Sequence, residues 1–352
     1  MTSFAATRVL TCYTLQVDPC LGVSPMRRRE FITLLGSAAA WPRAARAQQP
    51  ALPVIGWLSS GSRDFDDAVR LPGFRRGLSE TGYTEGRNVA IEYRRAEGQL
   101  ERLPALAADL VSRRVSLILA AGSPAAALAA KSATTSIPVV FDNSADPVQL
   151  GLVTSLNRPG GNITGVTSVS AELEAKRLGL LRELVPSAKL IAVLVNPTRP
   201  GVDAQIAQMQ PAARALGVPL HILNASSEGD LDAAFVTLIQ LQAGALMVTA
   251  DAFFSDHRDQ ILALAKRHLV PVMSQFREFA ARGGLISYGA SFGELYRQGG
   301  ILAGRILKGE KPADLPVMQL NKFELIINMK AAEALGIAVP VSMQMLADEV
   351  ID

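Results

Sequence analysis

Gly289-Ala290-Ser291-Phe292-Gly293 carries the G-x-S-x-G spacing that can set a serine nucleophile on a sharp strand-to-helix turn. Such a serine needs a base, and in that arrangement the histidine follows it in the chain. The three histidines, His221, His257 and His268, all precede Ser291. With Glu294 three residues on, Ser291 fits a helix-starting capping box better. The histidines also lack the spacing of metal ligands. His257 and His268 fall within one expected helix, on nearly the same face but three turns apart. No zinc or copper site is expected from them. The stretch 304–309 with Glu310 and Lys311 imitates a phosphate loop without its Gly-Lys-Ser/Thr ending, and reads as a helix closed by Gly309 and stopped by Pro312. No G-x-G-x-x-G follows a strand, so a dinucleotide is not expected, and no cofactor or catalytic residue is assigned.

What remains is a set of small polar residues placed after apolar runs. Ser59, Ser60 and Gly61 follow the first run, Gly122 and Ser123 the third, and Asn143, Ser144 and Asp146 the fourth. Asn196, Asp251 and Gln275 follow later runs, and Thr167, Ser168 and Tyr288 stand near two expected crossings between domains. Loops beyond the carboxyl ends of parallel strands, and the helix N-termini they lead into, are where doubly wound sheets bind ligands. Asp251 would hold an ammonium, while Ser59 and Ser123 at helix starts would suit a carboxylate. The pair of charges suggests an α-amino acid or related zwitterion. About half of these residues are expected merely to cap their helices; Asp146, before Pro147, is one such case. Aromatic residues are scarce in these loops, which argues against tryptophan itself.

The elements that must position these residues follow from hydrophobic periodicity. Strands are expected at 54–58, 89–93, 116–120 and 138–141, alternating with helices at 64–81, 100–113 and 124–131. The turn sequence 157–162 and a short strand at 163–166 lead into a second set. Its helices lie at 171–184, 202–216, 230–241 and 255–268, its strands at 190–195, 219–223, 245–249 and 271–274. A strand at 285–288 returns the chain to a long helix at 292–307, a strand at 323–327 and a helix at 329–335. The fold class is therefore α/β, two doubly wound parallel-sheet lobes joined by a hinge. Lobe 1 is expected at 48–165 plus 290–352 and lobe 2 at 166–289. Two such lobes with few connections can close around a ligand.

Residues 26–50, MRRREFITLLGSAAAWPRAARAQQP, read as an export signal: a basic start, a short apolar run and the small-residue exit Ala45-Arg46-Ala47. Arg28-Arg29 before Glu30-Phe31-Ile32 is similar to the twin-arginine signal. The signal is expected to end at residue 47, and residues 1–25 to be an extension from a misplaced start. Residues 1–47 hold six of the 35 basic and two of the 32 acidic side chains, leaving 29 basic against 30 acidic. A near-neutral body without a basic run argues against nucleic acid. Both cysteines, Cys12 and Cys20, fall in the removed segment, so burial rather than disulfides must stabilise the rest. No stretch has the ~20 apolar residues of a spanning helix, so no stable membrane insertion of the mature chain is expected.

The runs Ile137-Pro138-Val139-Val140-Phe141, Asp146-Pro147-Val148, Gly151-Leu152-Val153 and Pro159-Gly160-Gly161-Asn162-Ile163-Thr164-Gly165-Val166 resemble the ABC-transporter substrate-binding protein family typified by tryptophan- and tyrosine-type binding proteins. Phe276-Arg277-Glu278-Phe279, the run 283–289 and Ile326 to Asn328 are similar to the same family. The resemblance implies a periplasmic binding protein type 1 fold and a monomer in the periplasm that delivers a small-molecule ligand to a membrane permease. A sensor handing its closed form to a receptor kinase, and an enzyme on the same fold, are the alternatives. The absence of a nucleophile-base pair counts against the enzyme.

Overall fold

The computed structural model describes residues 52–143, 145–168 and 171–352; the expected export signal and the segment before it lie outside these residues. In chain order the strands are β1 (Val54–Ser59), β2 (Ala90–Arg95), β3 (Leu117–Ala121), β4 (Val139–Asn143), β5 (Ile163–Thr167), β6 (Ile191–Val195), β7 (Leu220–Asn224), β8 (Ala245–Val248), β9 (Val272–Ser274), β10 (Ile286–Gly289), β11 (Met318–Gln319), β12 (Glu324–Asn328) and β13 (Glu349–Ile351). The helices are α1 (Leu71–Glu80), α2 (Leu103–Ser112), α3 (Pro124–Ala133), α4 (Ala171–Leu184), α5 (Val202–Ala215), α6 (Glu228–Gln240), α7 (Ala252–Asp256), α8 (Arg258–Arg267), α9 (Arg277–Ala281), α10 (Phe292–Leu307), α11 (Met329–Ala334) and α12 (Val341–Leu346).

The strands form two sheets, ordered β11-β5-β4-β3-β1-β2 and β13-β12-β10-β9-β8-β6-β7. The first is wholly parallel, and in the second only β10 and β12 run antiparallel. Central strands such as β3 (LILAA) and β6 (IAVLV) are buried at every position, as strands covered on both faces must be. In the first lobe one face packs Trp57 and Val140 against Phe74 of α1 and Tyr296 of α10, while the other packs Ile118 and Phe141 against Leu110 of α2 and Ala127 of α3. The second lobe repeats this, with α4 and α5 on one face and α6 and α8 on the other.

Helices α1 and α10 approach at glycines: a Cβ on Gly77 would lie 1.8 Å from the Arg297 carbonyl oxygen, and one on Gly300 would lie 2.2 Å from that of Phe74. Ahead of α1, Asp66–Arg70 winds as a π-helix, with the Leu71 N–H donating to the Asp66 carbonyl five residues back. Pro72, at the start of α1, has no N–H to continue a regular ladder there.

The crossings differ from the sequence expectation. Strand β5 stays in the first sheet, pairing Val139 with Ile163, and the chain leaves that lobe only between Thr167 and α4. It returns between Gly289 and α10, then crosses a third time between β11 and β12. The expected placement of 324–352 in lobe 1 is therefore corrected: β12 pairs Ile327 with Ile286 of β10, and β13 extends the same sheet. The reason is an open edge. Strand β10 leaves one side unpaired, and buried β12 satisfies it, with Asn328 donating to the Ala280 carbonyl. The expected helix at 255–268 breaks at His257 into α7 and α8. Ser291 precedes α10 without a side-chain cap bond, and Glu294 instead accepts from Gln298 and Arg297.

Candidate functional site

Parallel topology brings the ends of β1, β3 and β4 opposite those of β6, β8 and β9, and the two lobes are closed on each other. Ser62 donates to Asp256 from its backbone N–H at 2.9 Å and from its hydroxyl at 2.7 Å. The Arg258 guanidinium sits 5.3 Å from the centre of the Phe65 ring, and Phe276 stacks on Phe292 at 4.0 Å. Serine 62 and Phe65 belong to the first lobe, Asp256, Arg258 and Phe276 to the second.

Inside this closure is a small gap of about 20 Å³, room for one water, bordered by Arg70, Gly122, Ser123, Asp142, Asp251 and Tyr296. Arg70 comes from the π-helical segment and is 1% exposed. Its Nη1 donates to Asp66 at 2.7 Å while its Nε has no partner. Asp66 also accepts from Trp57 Nε1 (2.8 Å), Ser59 Oγ (3.0 Å) and Arg95 Nε (3.1 Å), so one carboxylate anchors the arginine to β1 and β2. Burial alone would lower the Arg70 pKa; Tyr296, Asp66 and Asp256 outweigh it and the net shift is upward, so the guanidinium stays charged. Gly122 turns at φ +88°, and a Cβ there would lie 2.7 Å from Ser60 Oγ, so only glycine lets the chain pass so close to Ser60 and Arg70.

Two buried carboxyls face this arginine's surroundings. Burial pushes Asp142 up to about 6, with the Tyr296 hydroxyl, Arg70 and the Gly122 N–H pulling the other way. The Tyr296 hydroxyl lies beside that carboxyl, off the geometry of a full hydrogen bond. Asp251 is also raised, by burial against the opposing Asn196, Arg199 and the Phe253 N–H. It accepts from Phe253 N (2.8 Å) and from Asn196 Nδ2 (3.1 Å).

Next to this gap, sharing Ser168 with it, is a larger cavity of about 290 Å³ between the lobes. Its walls include Asp146, Glu174, Arg177, Arg199, Gln208 and Gln275. Arg177 Nη1 lies 3.0 Å from Glu174 Oε1, which also accepts from Gln205 Nε2 at 2.7 Å.

Of the residues expected from sequence, Gly122, Ser123 and Asp251 border the small gap, Asp146 and Gln275 the larger cavity, and Ser168 both. Ser123 also caps α3 by accepting from Ala126 N, and Asp146 accepts from Val148 N and Gln149 N. Ser59 and Asn196 stand behind the wall, holding Asp66 and Asp251. Ser60 is fully buried beneath Gly122 with its hydroxyl unpartnered. Thr167 is buried at the end of β5, where its backbone pairs with that of Asn143. Ser144 lies outside the described residues. Tyr288 borders neither space: its ring packs on the second lobe's core near Phe323, and its carbonyl accepts from Arg177 Nε. Sequence reasoning missed Arg70, Asp142, Glu174, Arg199 and Tyr296, all inside elements or beyond the first loop residues. The one available signal was polarity in apolar company, Asp142 ending the run VVFD and the Asp66/Arg70 pair at i, i+4.

Among the described residues no group of His, Cys, Asp and Glu is placed to hold a metal ion, and no helix is long and apolar enough to cross a membrane. The model of the family described as ABC transporter substrate binding protein matches residues 62–351. A tyrosine-binding protein of Clostridioides difficile (strain R20291) is 29% identical over 263 residues, 75% of each chain. A Streptococcus pneumonia domain in complex with L-Trp superposes with a TM-score of 0.78 at 26% identity, covering 85% of this chain and 99% of that one. A substrate-binding protein with adhesive properties from Clostridium difficile, in a ligand-free, open form, gives 0.61 at the same identity and coverage. The better match to the liganded neighbour agrees with the closed lobes described above. Two lobes, three crossings and a matched family model agree: the chain has a periplasmic binding protein type 1 fold and belongs to the ABC transporter substrate-binding protein family.

Proposed function

We propose that this protein is a periplasmic solute-binding protein of an ABC importer, exported by its twin-arginine segment, that closes on a small zwitterion and presents the closed form to a membrane permease. The observation that carries the proposal is the pairing of opposite charges across the small gap. Arg70, charged and with an unused Nε–H, comes from one lobe, and Asp251 comes from the other. A ligand carboxylate at Arg70 and its ammonium at Asp251 would bridge the lobes. That contact to both halves is what makes a ligand favour the closed state. Asp142 supplies a second acceptor beside Arg70, and Ser123 a hydroxyl at a helix start. The gap holds about one water as it stands, so the ligand's charged groups displace that water by small side-chain shifts while its body lies in the adjoining cavity and the lobes stay closed. Catalysis is not part of the proposal, and the molecule acts as a monomer.

The test is mass spectrometry of small molecules released on denaturing the purified protein, followed by calorimetry with the compound found. Asp251→Ala should abolish measurable binding, since it leaves an ammonium buried without its anion. Unchanged affinity, or a released compound without both charges, would sink the zwitterion reading.

A further inference from the structure

The chemistry of the larger cavity differs from that of an aromatic pocket. Its lining carries no aromatic residue: Leu150 and Leu173 are the largest apolar side chains among glutamines, acids and arginines. Glu174 has a side chain 9% exposed, with Oε1 held by Arg177 and Gln205 and Oε2 without any hydrogen-bond partner. A buried carboxylate oxygen left unpartnered is costly, and a ligand donor satisfies it. Arg177 and Arg199 stand with Glu174 and Asp146 in this wall, so its charges already balance and it offers no excess negative charge to a cationic tail. Arg199, in the wall of this cavity, feels both Glu174 and Asp251.

We infer that this cavity is the side-chain compartment of the ligand site, and that it selects a zwitterion with a neutral, amide- or ureido-bearing tail, with Glu174 as the specificity-determining acceptor. The inference rests on the zwitterion reading of the neighbouring gap. The tail's N–H donates to Glu174, and its carbonyl accepts from a glutamine of the cavity wall, Gln149 of the first lobe or Gln208 of α5. An indole tail strips water from these groups and returns a single donor with no acceptor, whereas an amide or ureido tail supplies both, a mismatch that sites built on paired polar groups reject by large factors. The family relative named for tyrosine and the neighbour holding L-Trp would differ from this chain at this compartment.

Calorimetry with L-glutamine, L-citrulline, L-leucine, L-tryptophan and L-arginine tests it. L-Glutamine or L-citrulline should bind at least a hundredfold tighter than L-leucine or L-tryptophan, with L-arginine behind the neutral tails. Glu174→Gln should weaken the amide and ureido ligands by about ten- to a hundredfold and leave L-leucine unchanged. Because that variant also disturbs Arg177, Gln208→Leu serves beside it: this partly exposed wall residue lies outside the ion pair, and the variant should narrow the glutamine-to-leucine ratio at an unchanged melting temperature. Tightest binding of L-tryptophan, or an unchanged ratio in both variants, overturns the compartment assignment while the zwitterion reading stands. Binding of none of the five overturns the zwitterion reading and this inference with it.

Discussion

Replacing Asp66 should be among the most damaging single changes in the first lobe. Its carboxylate is fully buried and receives four side-chain donors, from Trp57, Ser59, Arg70 and Arg95, at 2.7 to 3.1 Å. Asp66→Ala strands the Arg70 guanidinium, 1% exposed, without its anion. Breaking a buried pair from one side costs about 3–5 kcal/mol. Trp57 Nε1–H and the Ser59 hydroxyl lose their acceptor as well, Ser59 keeping only the bond it accepts from Gly61 N, so the cost belongs toward the upper end of that range. Urea unfolding followed by tryptophan fluorescence reads the cost directly, since Trp57 is one of the donors. Two controls separate the mechanism from general disruption. Asp67→Ala removes the neighbouring carboxylate, 46% exposed and bonded to Arg95 Nη2, and should cost under about 1 kcal/mol. The double variant Asp66→Leu with Arg70→Met removes both charges and should recover part of the loss of Asp66→Ala in stability, though not in ligand binding. A cost below about 1 kcal/mol for Asp66→Ala, or a double variant less stable than the single, would refute the reasoning.

Two further outcomes follow from the same cleft. Because burial raises Asp142 from 3.8 to about 6, the folded chain holds a proton that the unfolded chain has released, so this group's contribution to stability is complete below about pH 4 and is lost as pH rises through 6. Asp142→Asn should flatten that slope, its stability relative to wild type rising between pH 4 and pH 7 in urea titrations, and a pH-independent difference would contradict the assignment. Asp256→Ala removes both hydrogen bonds from Ser62, so small-angle scattering of the ligand-free protein should show a larger radius of gyration. Ligand affinity should then fall about tenfold or more, as the closed population shrinks; unchanged scattering and affinity would show that these bonds do not hold the lobes.

Much of the fold was legible before any coordinates. The alternation of β-branched runs with amphipathic stretches located most strands and helices within a few residues, because burial on both faces of a parallel sheet writes continuous apolar runs such as LILAA and IAVLV. The rule that ligands meet strand carboxyl ends also led to Gly122, Ser123, Ser168, Asp251 and Gln275, which border the two cavities. The same reading placed Tyr288 there, although strand alternation turns its ring into the core. It gave Ser291 a capping role that its side chain does not perform. It also assigned β12 to the wrong lobe, since an apolar strand pattern states that a strand is buried and not which sheet edge it completes.

Local order, then, was written in the chain: periodicity, turns and loop chemistry act over a few residues, and neighbours in sequence are enough to reveal them. Convergence was not. Ser62 meets Asp256 across 194 residues, Arg70 reaches Gly122 only where β1 and β3 lie side by side, and Glu174 becomes an unpartnered acceptor only once Arg177 and Gln205 take its other oxygen. Those meetings depend on three crossings and on lobe closure, which are set by the burial of two whole cores rather than by any segment. The charge of a side chain is local information, and which charge it faces is decided by the fold.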